Sequence, residues 1–113
     1  ARSLAQGKIC HNEKLLGGVC DAIMAPSPGK LTFPIMQRLC GPGLVVSENQ
    51  ALHAMVAAFH HLKLVLEPSG AVALAAALFH KQTSISDPVI VVLSGGNVDP
   101  SMFATALAVD TNF

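Results

Sequence analysis

The sequence predicts an α/β fold: a partial parallel sheet with flanking helices, in the order α-β-α-α-β-α. Three observations predict it. Residues 44–46 (Leu-Val-Val) and 88–93 (Pro-Val-Ile-Val-Val-Leu) are short apolar runs rich in β-branched side chains, and such runs read as buried strands. Helical patterns alternate with them, which implies parallel pairing in a sheet covered on both faces. Hydrophobic residues make up 51% of the 113-residue chain and charged residues 12%, more apolar than suits a solitary domain that exposes much of its surface. Two strands make a poor sheet by themselves. The expectation is therefore one partial domain, 1–113, that completes its core with strands from elsewhere or with another copy.

The elements follow in order. Residues 1–7 suit a short helix closed by Gly7, and residues 8–14 are polar and suit a loop. Residues 15–24 are mixed, and Gly17-Gly18 weakens any helix there, so their state stays open. Ala25-Pro26-Ser27-Pro28-Gly29 is a turn. Thr32 can cap a short helix over 33–39, with Pro34 tolerated in its first turn and Gly41-Pro42-Gly43 ending it. After the strand at 44–46, Ser47 and Gln50 form a capping box for a helix to about 61. Leu52, Met55, Val56, Phe59 and Leu62 line one stripe of that helix. Glu67 as cap and Pro68 as first residue open a nearly all-apolar helix to about 80, expected to be buried on most faces. Residues 82–87 read as a polar loop before the strand at 88–93. Asp99-Pro100 opens a last helix to about 108, and 109–113 are expected to fray.

Composition excludes several classes. A formal net charge of zero gives no electrostatic support to a nucleic-acid or anionic-membrane partner. The longest apolar stretch, 71–79, is too short to span a bilayer, and no apolar signal-peptide core follows Arg2. Cys10, Cys20 and Cys40 are widely spaced without a C-x-x-C pair, so neither a disulfide framework nor a zinc cluster is indicated and a reducing cytoplasm is expected. The chain opens on Ala rather than Met, so an upstream start or processing is expected. His53, His60 and His61 fall on one helix without a carboxylate or Cys at ligand spacing; a solvated or interface face is expected there and no metal site.

Two stretches can carry chemistry. Val92-Leu93-Ser94-Gly95-Gly96-Asn97 ends an apolar run abruptly in polar and small residues. In open α/β sheets, ligands bind beside such carboxyl ends. Gly95 and Gly96 let backbone approach a ligand closely, and Ser94 offers a hydroxyl that donates or accepts. The same residues also make an ordinary tight turn. Glu67 is either a helix start beside a favourable dipole end or a pocket carboxylate that needs a partner.

Four blocks in order make a resemblance. They are Asp21-Ala22-Ile23, then Pro28-Gly29-Lys30-Leu31-Thr32-Phe33-Pro34-Ile35, then Leu64-Val65-Leu66-Glu67-Pro68-Ser69-Gly70-Ala71, then Val92-Leu93-Ser94-Gly95-Gly96-Asn97-Val98-Asp99. Over nearly the whole chain this resembles the carboxyl-terminal third of serine/threonine dehydratases. These are pyridoxal-phosphate (PLP) lyases of the tryptophan-synthase-β-like fold, with serine racemase as a relative. The resemblance implies that Ser94 hydrogen-bonds the pyridine nitrogen, where a neutral hydroxyl does not enforce ring protonation. It implies that Gly95 and Gly96 let the ring lie close and that Glu67 stands near it. Asp21-Ala22 matches a motif that usually reads Asp-Gly and lines the ring; Ala22 adds a methyl.

The family's Schiff-base lysine lies in a Ser-x-Lys-x-Arg-type motif, and none of Lys8, Lys14, Lys30, Lys63 or Lys81 has that context. Its phosphate-cradling Gly-rich loop and its substrate-carboxylate loop are likewise not in this sequence. The resemblance thus implies PLP in the intact enzyme, no catalytic residue in this chain, and neither binding of PLP nor catalysis by the chain alone. It also implies a partner that is either another copy or the amino-terminal portion of the enzyme. A stand-alone oligomeric binding or scaffolding protein derived from the fold, and one piece of a split enzyme, are the alternatives.

Overall fold

The computed structural model describes residues 1–13, 17–80 and 88–109. Five α-helices carry the fold: α1 (Arg2–Gln6), α2 (Phe33–Leu39), α3 (Glu48–Ala57), α4 (Pro68–Phe79) and α5 (Pro100–Leu107). A 3-10 turn at Asp21–Ile23 and a π-helical turn at Ala58–Leu62 complete the regular structure.

Local signals account for the helix ends. Gly7 closes α1 at φ 65°, a left-handed conformation that glycine adopts at little cost. Ser47 and Gln50 form the reciprocal box at α3. The Ser47 hydroxyl accepts the Gln50 amide at 3.2 Å, and the Gln50 side chain accepts the Ser47 amide at 2.8 Å. Pro68 and Pro100 sit in the first turns of α4 and α5, where the missing N–H is no loss. Thr32, Glu67 and Asp99 hold the cap positions of α2, α4 and α5 without side-chain capping bonds. The Thr32 hydroxyl donates instead to the Gly29 carbonyl at 3.2 Å. The π turn carries the α3 path to Lys63, which ends it in a left-handed conformation at φ 58°.

The α/β expectation is overturned: the described residues contain no strand and no sheet. Neither 44–46 nor 88–93 has regular structure. A strand requires a neighbour that returns its N–H and C=O groups, and these runs have none among the described residues. Among the described residues, the one backbone bond from 88–98 to another part of the chain is Glu67 N–H to Gly95 C=O at 3.1 Å. Burial tells the same story. Ile90 is 90% exposed and Val92 67%, while Leu93 alone of this run packs on the core. The 44–46 run is tied by the His80 ring, whose Nε2 lies 2.6 Å from the Val45 carbonyl oxygen, and Val45 itself is exposed.

The core lies between α3 and α4. Ala54, Met55, Val56 and Ala58 meet Ala71 and Ala75, with Leu66 and Ala106 closing the ends. Alanines on the facing stripes bring the helices close, and Met55 and Val56 are the largest side chains wholly removed from solvent. Phe59 meets Phe103 of α5 edge to face, with centroids 5.3 Å apart. The predicted stripe on α3 is half realised: Met55 and Val56 are buried, whereas Leu62 is exposed. Helix α4 is buried all round in its first turn, Pro68–Ala71, and along one face beyond it; Ala73, Ala77 and Leu78 face solvent. The predicted loop at 82–87 and all of the predicted tail but Val109 lie outside the described residues. Val109 still donates its amide to Ala106 at 3.0 Å.

Candidate functional site

Three segments converge on the amino end of α4. The first is the residue before the helix. Glu67 is half-buried, and its carboxylate accepts no hydrogen bond from the described residues. The second is the turn at 94–96. Its Gly95 carbonyl accepts the Glu67 amide at 3.1 Å. The third is the 3-10 turn Asp21–Ile23, whose Ala22 amide donates to the Ser69 hydroxyl at 3.1 Å.

The glycines follow from this crowding. A Cβ on Gly95 would sit 2.5 Å from Glu67 Oε1 and 3.0 Å from its Cδ. A Cβ on Gly96 would sit 2.6 Å from the Val65 carbonyl oxygen. On the helix side, a Cβ on Gly70 would press on the Gly95 carbonyl oxygen and come 2.8 Å from the Gly95 nitrogen. The turn and the helix end thus meet backbone to backbone, which only glycine permits.

Glu67 and Gly95 are therefore brought into direct contact, Gly96 lies against the Val65 carbonyl beside them, and Ala22 is joined to the same helix end through Ser69. Ser94 is exposed at the start of the same turn. Sequence reasoning does not single out Ser69, Gly70 or Val65, although all three lie in the block Leu64–Ala71. A hydroxyl on a helix that is otherwise apolar is the signal that could have found Ser69.

The 3-10 turn carries charge on its flank. Glu48 at the start of α3 accepts the Val19 amide at 3.2 Å. Burial, then the Glu48 carboxylate, then Asp21 push the Cys20 thiol above its ordinary value of 9.0. Cys10, Cys20 and Cys40 are all free thiols. The predicted histidines lie elsewhere: the His53 ring stands 6.0 Å from Phe79 and the His60 ring 5.8 Å from Phe59. Depressions of about 340 and 590 Å³ flank α1, between Ala1, Arg2 and Leu4 on one side and Met36, Cys40 and Pro42 on the other. Neither includes a predicted site residue. No helix among the described residues is long and apolar enough to cross a membrane.

Known proteins match this chain over most of its length. Residues 1–95 match the family model described as pyridoxal-phosphate dependent enzyme. The chain is 39% identical over 97 residues to the L-threonine ammonia-lyase of Geobacter sulfurreducens, covering 86% of this chain and 24% of that protein. It is 42% identical over 104 residues to a serine racemase of Oryza sativa, covering 88% of this chain and 30% of that protein. Among solved structures, maize serine racemase is similar with a TM-score of 0.83 and 35% identity, over 95% of this chain and 35% of that one. A threonine deaminase from T.th. is similar with a TM-score of 0.80 and 38% identity, over 87% of this chain and 33% of that one. The chain thus spans about a quarter to a third of the length of these relatives.

Proposed function

The chain belongs to the pyridoxal-phosphate dependent enzyme family, and on that footing we propose that it acts as the carboxyl-terminal third of an L-threonine or L-serine dehydratase. The reaction is β-elimination of the hydroxyl to give a 2-oxo acid and ammonia. The observation that carries this reading is the convergence of Glu67, Gly95 and Gly96 at the amino end of α4, with Ala22 tied to the same helix end.

These residues fit one wall of a cofactor site. Glu67 offers a half-buried carboxylate with no hydrogen-bond partner among the described residues, and Ser94 offers an exposed hydroxyl. Both groups are open to solvent, and among the described residues no buried side-chain N or O atom lacks a partner, so the support for the site is the close approach of the Gly95 backbone to Glu67. The lysine and phosphate loop that hold the cofactor in the family are not in this sequence, so this chain supplies the wall and another part of the enzyme supplies the anchor. Bound pyridoxal phosphate supplies an electron sink that lets a carbon next to the amine give up its proton and the β-hydroxyl depart.

The chain's own residues do simpler work. Ser94 would hold the pyridine nitrogen through its neutral hydroxyl, which can donate or accept a hydrogen bond without carrying charge of its own. That leaves the ring a moderate sink, which suits elimination over transamination. Gly95 and Gly96 would let the ring lie close to the backbone, Glu67 would stand beside it, and the exposed Ala22 would add a methyl to the wall. The isolated chain is inactive on this reading. Racemisation of serine is the second reading, favoured by 42% identity to the rice serine racemase. Three free thiols support a reducing, cytoplasmic setting.

The test is 2-oxobutyrate formation from L-threonine and pyruvate formation from L-serine by the protein that carries this segment, loaded with the cofactor. Turnover in the loaded protein and none in the 113-residue chain alone is the expected result. D-serine formation without oxo acid would select the second reading, and the absence of both products would overturn the first.

A further inference from the structure

We propose that Ser69 is a positioning residue: its hydroxyl locks the Asp21–Ile23 turn to the amino end of α4, so that Ala22 and Glu67 face one ligand as a single wall. The inference rests on the cofactor-binding reading above and deepens it. Ser69 is the second residue of an otherwise apolar helix, and its hydroxyl makes no bond within that helix. Nor does Ser69 cap α4, because the cap position is Glu67. Its side chain is 7% exposed, and its Oγ spends its acceptor capacity on the Ala22 amide, 47 residues away in sequence, at 3.1 Å.

This bond ties the turn to α4. The turn's own backbone bonds run 3.4 Å from Ile23 to Cys20 and 3.2 Å from Met24 to Asp21, residues 21–26 are exposed, and the Ala25 and Pro26 carbonyls that follow are held by Asn12 and not by α4. No cap side chain supports it. Ser69 is the one partner of the Ala22 amide among the described residues. One residue away, Gly70 bears on Gly95, and the Glu67 amide donates to the same Gly95. Three positions of one helix end thus set both loops. If Ser69 releases Ala22, the 94–96 turn stays in place and only one side of the wall drifts.

The test compares Ser69→Ala and Ser69→Thr with the parent in the protein that carries this segment. Equilibrium dialysis gives the Kd for pyridoxal phosphate, and hydrogen exchange gives the protection of single amides. The loss of one neutral hydrogen bond is expected to raise the Kd about two- to tenfold in Ser69→Ala. The Ala22 amide is expected to exchange faster while the amides of 71–79 keep their rates. Ser69→Thr, which keeps the hydroxyl, is expected to restore both. An unchanged Kd in Ser69→Ala, with a parent that binds, overturns the inference alone. Equal weakening in Ser69→Thr assigns Ser69 to packing and also overturns it. A parent that binds no pyridoxal phosphate overturns the functional reading, and this inference with it.

Discussion

Replacing Gly70 by alanine sets two effects of known size against each other. In an open helix the change stabilises, by up to about 1 kcal/mol, because alanine loses less backbone entropy. At Gly70 the new methyl meets the Gly95 backbone: 2.8 Å from its nitrogen, 3.1 Å from its carbonyl carbon, and closer still to its oxygen. A backbone peptide cannot rotate aside as the tip of a long side chain can, so the 94–96 turn must move. Overpacking of this kind costs about 1–3 kcal/mol. The displaced turn also loses the 3.1 Å bond from the Glu67 amide, worth about 0.5–1.5 kcal/mol. The clash wins, and the net change is a destabilisation of about 1–3 kcal/mol. Urea unfolding followed by circular dichroism measures it, with Gly41→Ala as the control because nothing lies within 4 Å of its added methyl. The control is expected to stay within about 0.5 kcal/mol of the parent. Stability equal to or above the parent in Gly70→Ala would refute the packing of the turn on the helix end.

Three further outcomes are expected. Ser47→Ala removes the capping box of α3 and lowers stability by about 1 kcal/mol; an unchanged melting temperature would contradict this. Cys20 is half-buried with its thiol held above the ordinary value, so the reactive thiolate is scarce. At pH 8 iodoacetamide is expected to label exposed Cys40 well before Cys20. With the folded thiol pKa raised, stability is expected to fall as pH rises past the unfolded thiol value toward the folded one, which urea unfolding at increasing pH would measure; mass spectrometry that finds Cys20 labelled first would count against the expected order of labelling. On the proposed reading, Ser94→Ala in the cofactor-loaded enzyme would leave the pyridine nitrogen without its partner. At about 1–3 kcal/mol for an unpaired buried acceptor, kcat/KM is expected to fall about ten- to a hundredfold, and an unchanged value at full occupancy would make Ser94 a turn residue only.

What is legible in the sequence is local. The capping box at Ser47 and Gln50, the glycine stop at Gly7 and the Pro68 and Pro100 starts act within a turn of the residues that encode them, and each stands in the structure. The absence of pairing at 44–46 and 88–93 is not legible, because a strand is a property of two segments. Apolar β-branched residues state what a segment tolerates, and here no partner among the described residues returns the bonds. The π turn at Ala58–Leu62 carries no glycine or proline to announce it. In the candidate site, Glu67, Gly95 and Gly96 stand out from their motifs, and the structure places them together. The Ser69–Ala22 bond spans 47 residues, and no periodicity reaches that far.

The central claim is that the 94–96 turn and the α4 end form the wall against which the cofactor ring lies. A crystal structure of the complete protein with pyridoxal phosphate bound measures it as one distance, from Ser94 Oγ to the pyridine nitrogen. The expected distance is about 2.6–3.2 Å, with Glu67 and Ala22 beside the ring. A ring bound elsewhere, or a nitrogen partnered by another side chain with Ser94 left in solvent, would contradict it.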